Sequence, residues 1–191
     1  MGRPRKFEEE RAVEAAMRAF WADGYEATST QELCEATGLG RSSIYNTFAS
    51  KRDLFVKALT HYMDDRHAKL VALMEDGEMP VRERLRTVLE WAVAPDADDP
   101  AGCLVVNSRI EFGSHDPDIT ERLERHRRQQ FAVLKAAIEG GMRSGEIDAR
   151  KDSGALAHFV TATVGGIQVA ARGGADRVTV QSIADTAMLA L

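Results

Sequence analysis

Apolar residues recur at three- and four-residue intervals along nearly the whole chain, and the strict alternation of a half-buried strand is absent. Val13, Ala16, Met17 and Phe20 set the pattern over residues 8–23, a helix with an acidic first turn that Gly24 closes. Leu33 and Ala36 before Gly38, and Leu39, Ile44 and Phe48 after it, give two short helices that share one apolar side across a tight turn. Ser29 and Glu32 have capping-box spacing at the start of the first, and Gly38 suits a left-handed stop at its end. Ser50, with Asp53 three residues on, starts a long helix whose inner side is Leu54, Phe55, Ala58, Leu59, Tyr62 and Met63, resuming at Leu70, Leu73 and Met74. Further helical stretches cover 81–94, 103–112, 119–145, 155–172 and 179–191, with an N-cap expected where Asp116 and Asp118 flank Pro117. The expected fold is all-α, about nine helices without a repeat.

Residues 41–47, in the second of the two short helices, carry a distinctive set of side chains. Arg41, Ser42, Ser43, Tyr45, Asn46 and Thr47 surround the core position Ile44, and no acid interrupts them. A face kept only for solubility mixes Glu with Lys; this one offers Arg for guanine edges, Asn for adenine, and hydroxyls for phosphates, on a helix that fits a major groove. The net charge of −5 speaks against nucleic acid until the chain is divided. Residues 1–60 hold nine Lys or Arg and nine Asp or Glu, so the remainder holds the deficit, and phosphate contacts act only within about a Debye length of 8 to 10 Å. Arg3, Arg5 and Lys6 form a basic arm placed to lie along the backbone or enter a minor groove, and Lys51 at the start of the long helix is a phosphate candidate.

Composition narrows the class. A hydrophobic fraction of 44% and a charged fraction of 29% describe a globular protein. Cys34 and Cys103 are far apart and lack the pairing of a disulfide framework or zinc ribbon, so a cytoplasmic protein is expected. Residues 153–171 are uncharged for nearly a bilayer's length, yet polar residues and glycines break them up, and a buried helix is expected rather than a membrane partner.

The first 60 residues resemble the DNA-binding domain of the TetR family of bacterial transcriptional regulators. The resemblance is carried by Ala19-Phe20, Gly24-Tyr25, Thr28-Ser29, Gly38-Leu39, the run 44–48, Ser50-Lys51 and Leu54. Residues 101–107 are similar to a stretch seen in one branch of that family. The resemblance implies a three-helix DNA-binding domain over 1–50, a linking helix over about 51–76, and a helical-bundle domain over 77–191 for effector binding and dimerisation. It also implies a homodimer on a near-palindromic double-stranded operator, most simply a repressor released by an unknown small-molecule effector. Thr28 and Ser29 join the DNA-contact set on this ground. Two positions depart from the family: Gly40 stands where Ser or Thr often caps the reading helix, and Asn46 where an aromatic is common.

In the second domain, Trp91, Cys103, Asn107, Phe131, His158 and Thr161 put aromatic or hydrogen-bonding groups on otherwise apolar faces and are the candidate effector contacts. Phe159, Thr163, Gly166, Ile167 and Ala170, with Ile183, Ala187 and Leu191, form stripes suited to a four-helix seam between subunits. Cys103 at a helix N-terminus raises the alternative of an electrophile or redox sensor. An adaptor controlled by a protein partner is the other alternative. The five histidines lack metal spacing, no cofactor is expected, and no nucleotide or hydrolase motif supports an enzyme.

Overall fold

The computed structural model describes residues 3–94, 99–113 and 115–191, with side chains from residue 8 onward. Nine helices and no strand are present among them: α1 Arg3–Asp23, α2 Thr30–Thr37, α3 Arg41–Thr47, α4 Lys51–Met74, α5 Val81–Val93, α6 Leu104–Phe112, α7 Pro117–Ser144, α8 Ser153–Arg172 and α9 Arg177–Ala190. The expected all-α fold is what is found. The basic arm is the exception at the backbone level, because α1 runs back through it to Arg3. Pro4 permits this: in a first helical turn its missing N–H costs no intrahelical bond and its fixed φ suits the helix.

Local chemistry sets most of the boundaries. Ser29 Oγ accepts the Glu32 amide at 3.2 Å while the Ser29 amide donates to Glu32 Oε2 at 2.6 Å, so both halves of the capping box form. That amide and the Ser29 hydroxyl hold the Glu32 carboxyl below its ordinary range. Gly38 ends α2 at φ 69°, where a Cβ is disfavoured. Ser50, Asp116, Asp152 and Asp176 cap α4, α7, α8 and α9 through their side chains. Helix α3 has no such cap, since Gly40 precedes it. Its position rests on Ile44 and Phe48, both buried in the core beneath.

The buried residues form two cores, and the division falls inside α4. Leu54 to Met63 belong to a first core with Phe20, Trp21, Leu33, Ile44 and Phe48, whereas Leu70 and Met74 belong to a second built from α5, α7, α8 and α9. The first core also takes in Leu104 of α6 and Ile119 and Leu123 of α7. The head, made of α1 to α3 and the start of α4, is therefore packed directly onto the beginnings of α6 and α7. Phe55 joins the parts, its ring centroid 5.1 Å from Phe20, 4.9 Å from Tyr25 and 5.1 Å from Phe112.

Polar bonds reinforce the same junction. The Glu111 carboxylate accepts the amides of Tyr25 at 2.9 Å and Glu26 at 2.6 Å, just beyond the end of α1. Arg172, at the last turn of α8, donates to the carbonyls of Trp21 at 3.3 Å and Ala22 at 3.0 Å. A cation thus meets the negative end of α1, and an anion meets the amides that follow it. Arg52 at the start of α4 donates to both Asp116 oxygens and to Asp118 at the start of α7. Glu111, Asp116 and Asp118 are each used structurally.

Helices α8 and α9 correct the expected dimer seam in part. Ile167, Ala187 and Leu191 point into the core of their own chain and are almost fully buried there. Their fours-spacing marks the inner stripe, because core and seam share the same helical period on opposite sides of one helix. The outer side of α8 exposes Phe159, Gly166 and Val169, and that of α9 exposes Val178, Ile183 and Leu189; Thr163 and Ala170 lie half-buried at the margin. By length and composition α8 is apolar enough to cross a bilayer, yet in this fold one of its sides lines the core.

Candidate DNA interface and effector cavity

Arg41, Ser42, Ser43, Tyr45, Asn46 and Thr47 all stand exposed on α3, as a reading face requires, while Ile44 between them is buried. Tyr45 Oη lies 3.5 Å from Thr30 Oγ1, and the Arg41 guanidinium sits 6.0 Å from the Tyr45 ring centroid. The contact to Thr30 first, then Arg41, holds the Tyr45 phenol below its ordinary pKa. The Arg41 cation thus lies over the Tyr45 ring on the exposed side of the helix.

Three other expected DNA contacts are placed differently. Thr28 is fully buried and its Oγ1 donates to Gly24 O at 2.6 Å, so it ties the α1–α2 turn instead of facing a phosphate. Ser29 is exposed, but its Oγ caps α2. Lys51 Nζ sits 4.5 Å from the Tyr25 ring centroid and 3.4 Å from Glu26 O, stitching α4 to the same turn. The side chains of Arg3, Arg5 and Lys6 lie outside the described residues.

Between α1, α4, α5, α6, α7 and α8 is a cavity of about 420 Å³. Of the candidate effector contacts, Trp91, Cys103 and Thr161 line it, and Asn107, Phe131 and His158 do not. Asn107 Nδ2 instead donates to Trp21 O at 3.5 Å, and the Phe131 ring stacks on His158 at 4.4 Å. Sequence reasoning missed Trp21, Tyr62, Arg66, Arg109, His126 and Gln168. Periodicity tells which side of a helix is turned inward, and it does not tell where inward-facing side chains leave a void. A larger concavity of about 670 Å³ between α4, α5 and α7 is an open groove. The smaller one is the better candidate, because six helices surround it and its wall residues carry two buried donors without partners, Trp21 Nε1 and Arg66 Nε, against one, Arg84 Nε, on the groove.

The cavity's titratable groups are shifted by their surroundings. Burial, with Cys103 beside it, pushes the Tyr62 phenol far up, and its Oη donates to Cys103 Sγ at 3.4 Å. Burial first, then the neighbouring His67 and Arg109 against an opposing Asp64, lowers His126 from 6.5 to about 4. Between those values the unfolded chain takes up a proton that the folded chain refuses, so the stability this group confers is complete above pH 6.5 and is lost as pH falls toward 4. The expected loss is about 2 kcal/mol at pH 5 relative to pH 8. Thermal melts over that range should show it, and His126→Gln should flatten the curve; an equally steep curve in the variant would assign the acid sensitivity elsewhere.

Comparison with known proteins places both halves. Residues 12–58 match the family described as bacterial regulatory proteins, tetR family, and residues 80–186 match the tetracyclin repressor-like C-terminal domain. The chain is 33% identical over 190 residues to the HTH-type transcriptional repressor ComR of Escherichia coli K12, covering 98% of this chain and 90% of that one. It is 32% identical over 157 residues to the uncharacterized HTH-type transcriptional regulator YezE of Bacillus subtilis 168, covering 78% and 79%. Among solved structures, the TetR family regulator CifR, a cysteine mutant complexed with 26 bp double-strand operator DNA, superposes with a TM-score of 0.85 at 29% identity, covering 99% of each chain.

Proposed function

From the premise that the chain belongs to the tetR family of bacterial regulatory proteins, we propose how its parts work as a ligand-responsive transcriptional repressor. Residues 1–50 read DNA, α4 links, and residues 77–191 bind the effector and dimerise. The observation that supports this most directly is α3: six polar side chains face outward on a helix whose other side is locked into the head by Ile44 and Phe48. A second copy covers the outer apolar sides of α8 and α9, around Phe159, Val169, Ile183 and Leu189, and sets two α3 helices about 34 Å apart on a near-palindromic operator.

The effector enters the cavity. Because Trp21 belongs both to its wall and to the core of the head, a ligand there acts on the seat of α1. Release of DNA requires only that the ligand prefer, by a few kcal/mol, the arrangement in which the two reading helices are out of register. Cys103 borders the same cavity and supplies a wall and a hydrogen-bond acceptor for Tyr62. The protein acts by binding and not by catalysis, and works in the cytoplasm.

Arg41→Ala is expected to weaken binding to an operator fragment about tenfold, the value of one good base or phosphate contact. Tyr45→Phe should weaken it less, and both variants should remain dimers by light scattering. Mobility shifts in which both bind like the parent protein would refute α3 as the reading helix.

A further inference from the structure

We infer that the cavity is built for an organic anion: a molecule with an apolar body and one carboxylate or similar acidic oxygen group. This rests on the effector-binding reading above and adds the chemical class. Two observations support it together. First, the orphaned polar atoms on the cavity wall are donors. The indole Nε1 of Trp21, a residue only 2% exposed, and Nε of Arg66 have no partner among the described residues. A buried donor without an acceptor costs roughly 1 to 3 kcal/mol, a deficit that is removed when the side chain turns toward a ligand oxygen.

Second, the wall has a one-sided charge. Arg66, Arg109 and Arg127 line the cavity, and no Asp or Glu does so among the described residues. The acids that answer them stand behind the wall: Asp99 takes Arg66 Nη2 at 2.9 Å and is shared with Arg18, while Glu124 is shared by Arg127 and Arg109. Among the described residues, two carboxylates make ion pairs with three lining guanidiniums, while Asp65 and Asp64 also act electrostatically on Arg66 and His126, in a chain whose total charge is negative. Arg66 is also pre-positioned, its guanidinium 5.4 Å from the Trp21 ring centroid and 5.2 Å from that of Tyr62. Leu70, Val88, Leu134 and Val164 provide apolar walls for the body of the ligand. Neutral acceptors satisfy the first observation alone; only an anion satisfies both.

The chain supplies its own reporter, because its two tryptophans, Trp21 and Trp91, both line this cavity. Indole emission excited at wavelengths where phenyl groups are transparent is followed on the full-length protein with three matched probes: 3-phenylpropanoate, 3-phenylpropanamide and 3-phenylpropylammonium. The expected result is saturable change with the anion at a concentration at least tenfold lower than with the amide, none with the ammonium, and loss of the anion's advantage in Arg66→Met. Arg109→Gln should narrow the advantage in the same direction. If amide or ammonium binds as well as the anion, the anion assignment is overturned while the cavity remains an effector site. If none of the three alters emission or melting temperature, the effector reading of this cavity falls together with the proposal.

Discussion

Replacing Phe55 with alanine should lower the unfolding free energy by about 3 to 5 kcal/mol, the cost of deleting a fully buried aromatic ring and leaving its cavity behind. The ring is 0% exposed and touches three others. Two of them, Phe20 and Tyr25, belong to the DNA-binding head, while Phe112 belongs to α6. The loss should therefore appear twice: a melting temperature lower by about 6 to 20 °C, and weaker operator binding as the head loses its seat. Urea unfolding measures the first effect, and Phe55→Leu, which refills part of the volume, should restore some of it. A loss below about 1 kcal/mol would mean that the four rings do not bind head to body.

The second large effect is expected at Glu111. Its carboxylate accepts two backbone amides, and bonds to a charged acceptor contribute about 1.5 to 3 kcal/mol each before solvent exposure reduces the gain. Glu111→Ala should cost about 2 to 3 kcal/mol overall, since the Glu26 amide is exposed and can turn to water. Glu111→Gln is a sharper probe, for its amide group sets a donor where a second acceptor is needed. Gly24 belongs to the same device: its φ of 90° favours glycine, and a Cβ there would come within 3.2 Å of the carboxylate. Because Arg172 grips the carbonyls at the same end of α1, Arg172→Met and Glu111→Ala should be less than additive. Full additivity in a double-mutant cycle would show two independent contacts and not one clamp.

Much of the head was legible in the sequence because its signals are local. A serine followed three residues later by a glutamate states where α2 starts, and a glycine at the left-handed position states where it ends; neither needs a distant partner. The outward set on α3 was legible for the same reason, since Ile44 and Phe48 fix which side is inward. Thr28 was misread where that logic stopped: a hydroxyl beside a capping serine is equally consistent with a phosphate contact or with the bond to Gly24 O that it makes. On α8 and α9 the period was read correctly and the side was not, so Ile167, Ala187 and Leu191 moved from seam to core.

The chain alone therefore determined an all-α protein with a helix-turn-helix near its start, its helix ends, and a polar reading helix, because each follows from neighbours within one or two turns. Tertiary structure decided which residues meet across long separations. It brought Glu111 to the amides of Tyr25 and Glu26, Arg172 to the end of α1, and Arg66 to the rings of Trp21 and Tyr62. It also decided where six helices leave room for a ligand. A void, and a clamp across 86 or 151 positions of chain, depend on how helices cross, and no stretch of sequence encodes that by itself.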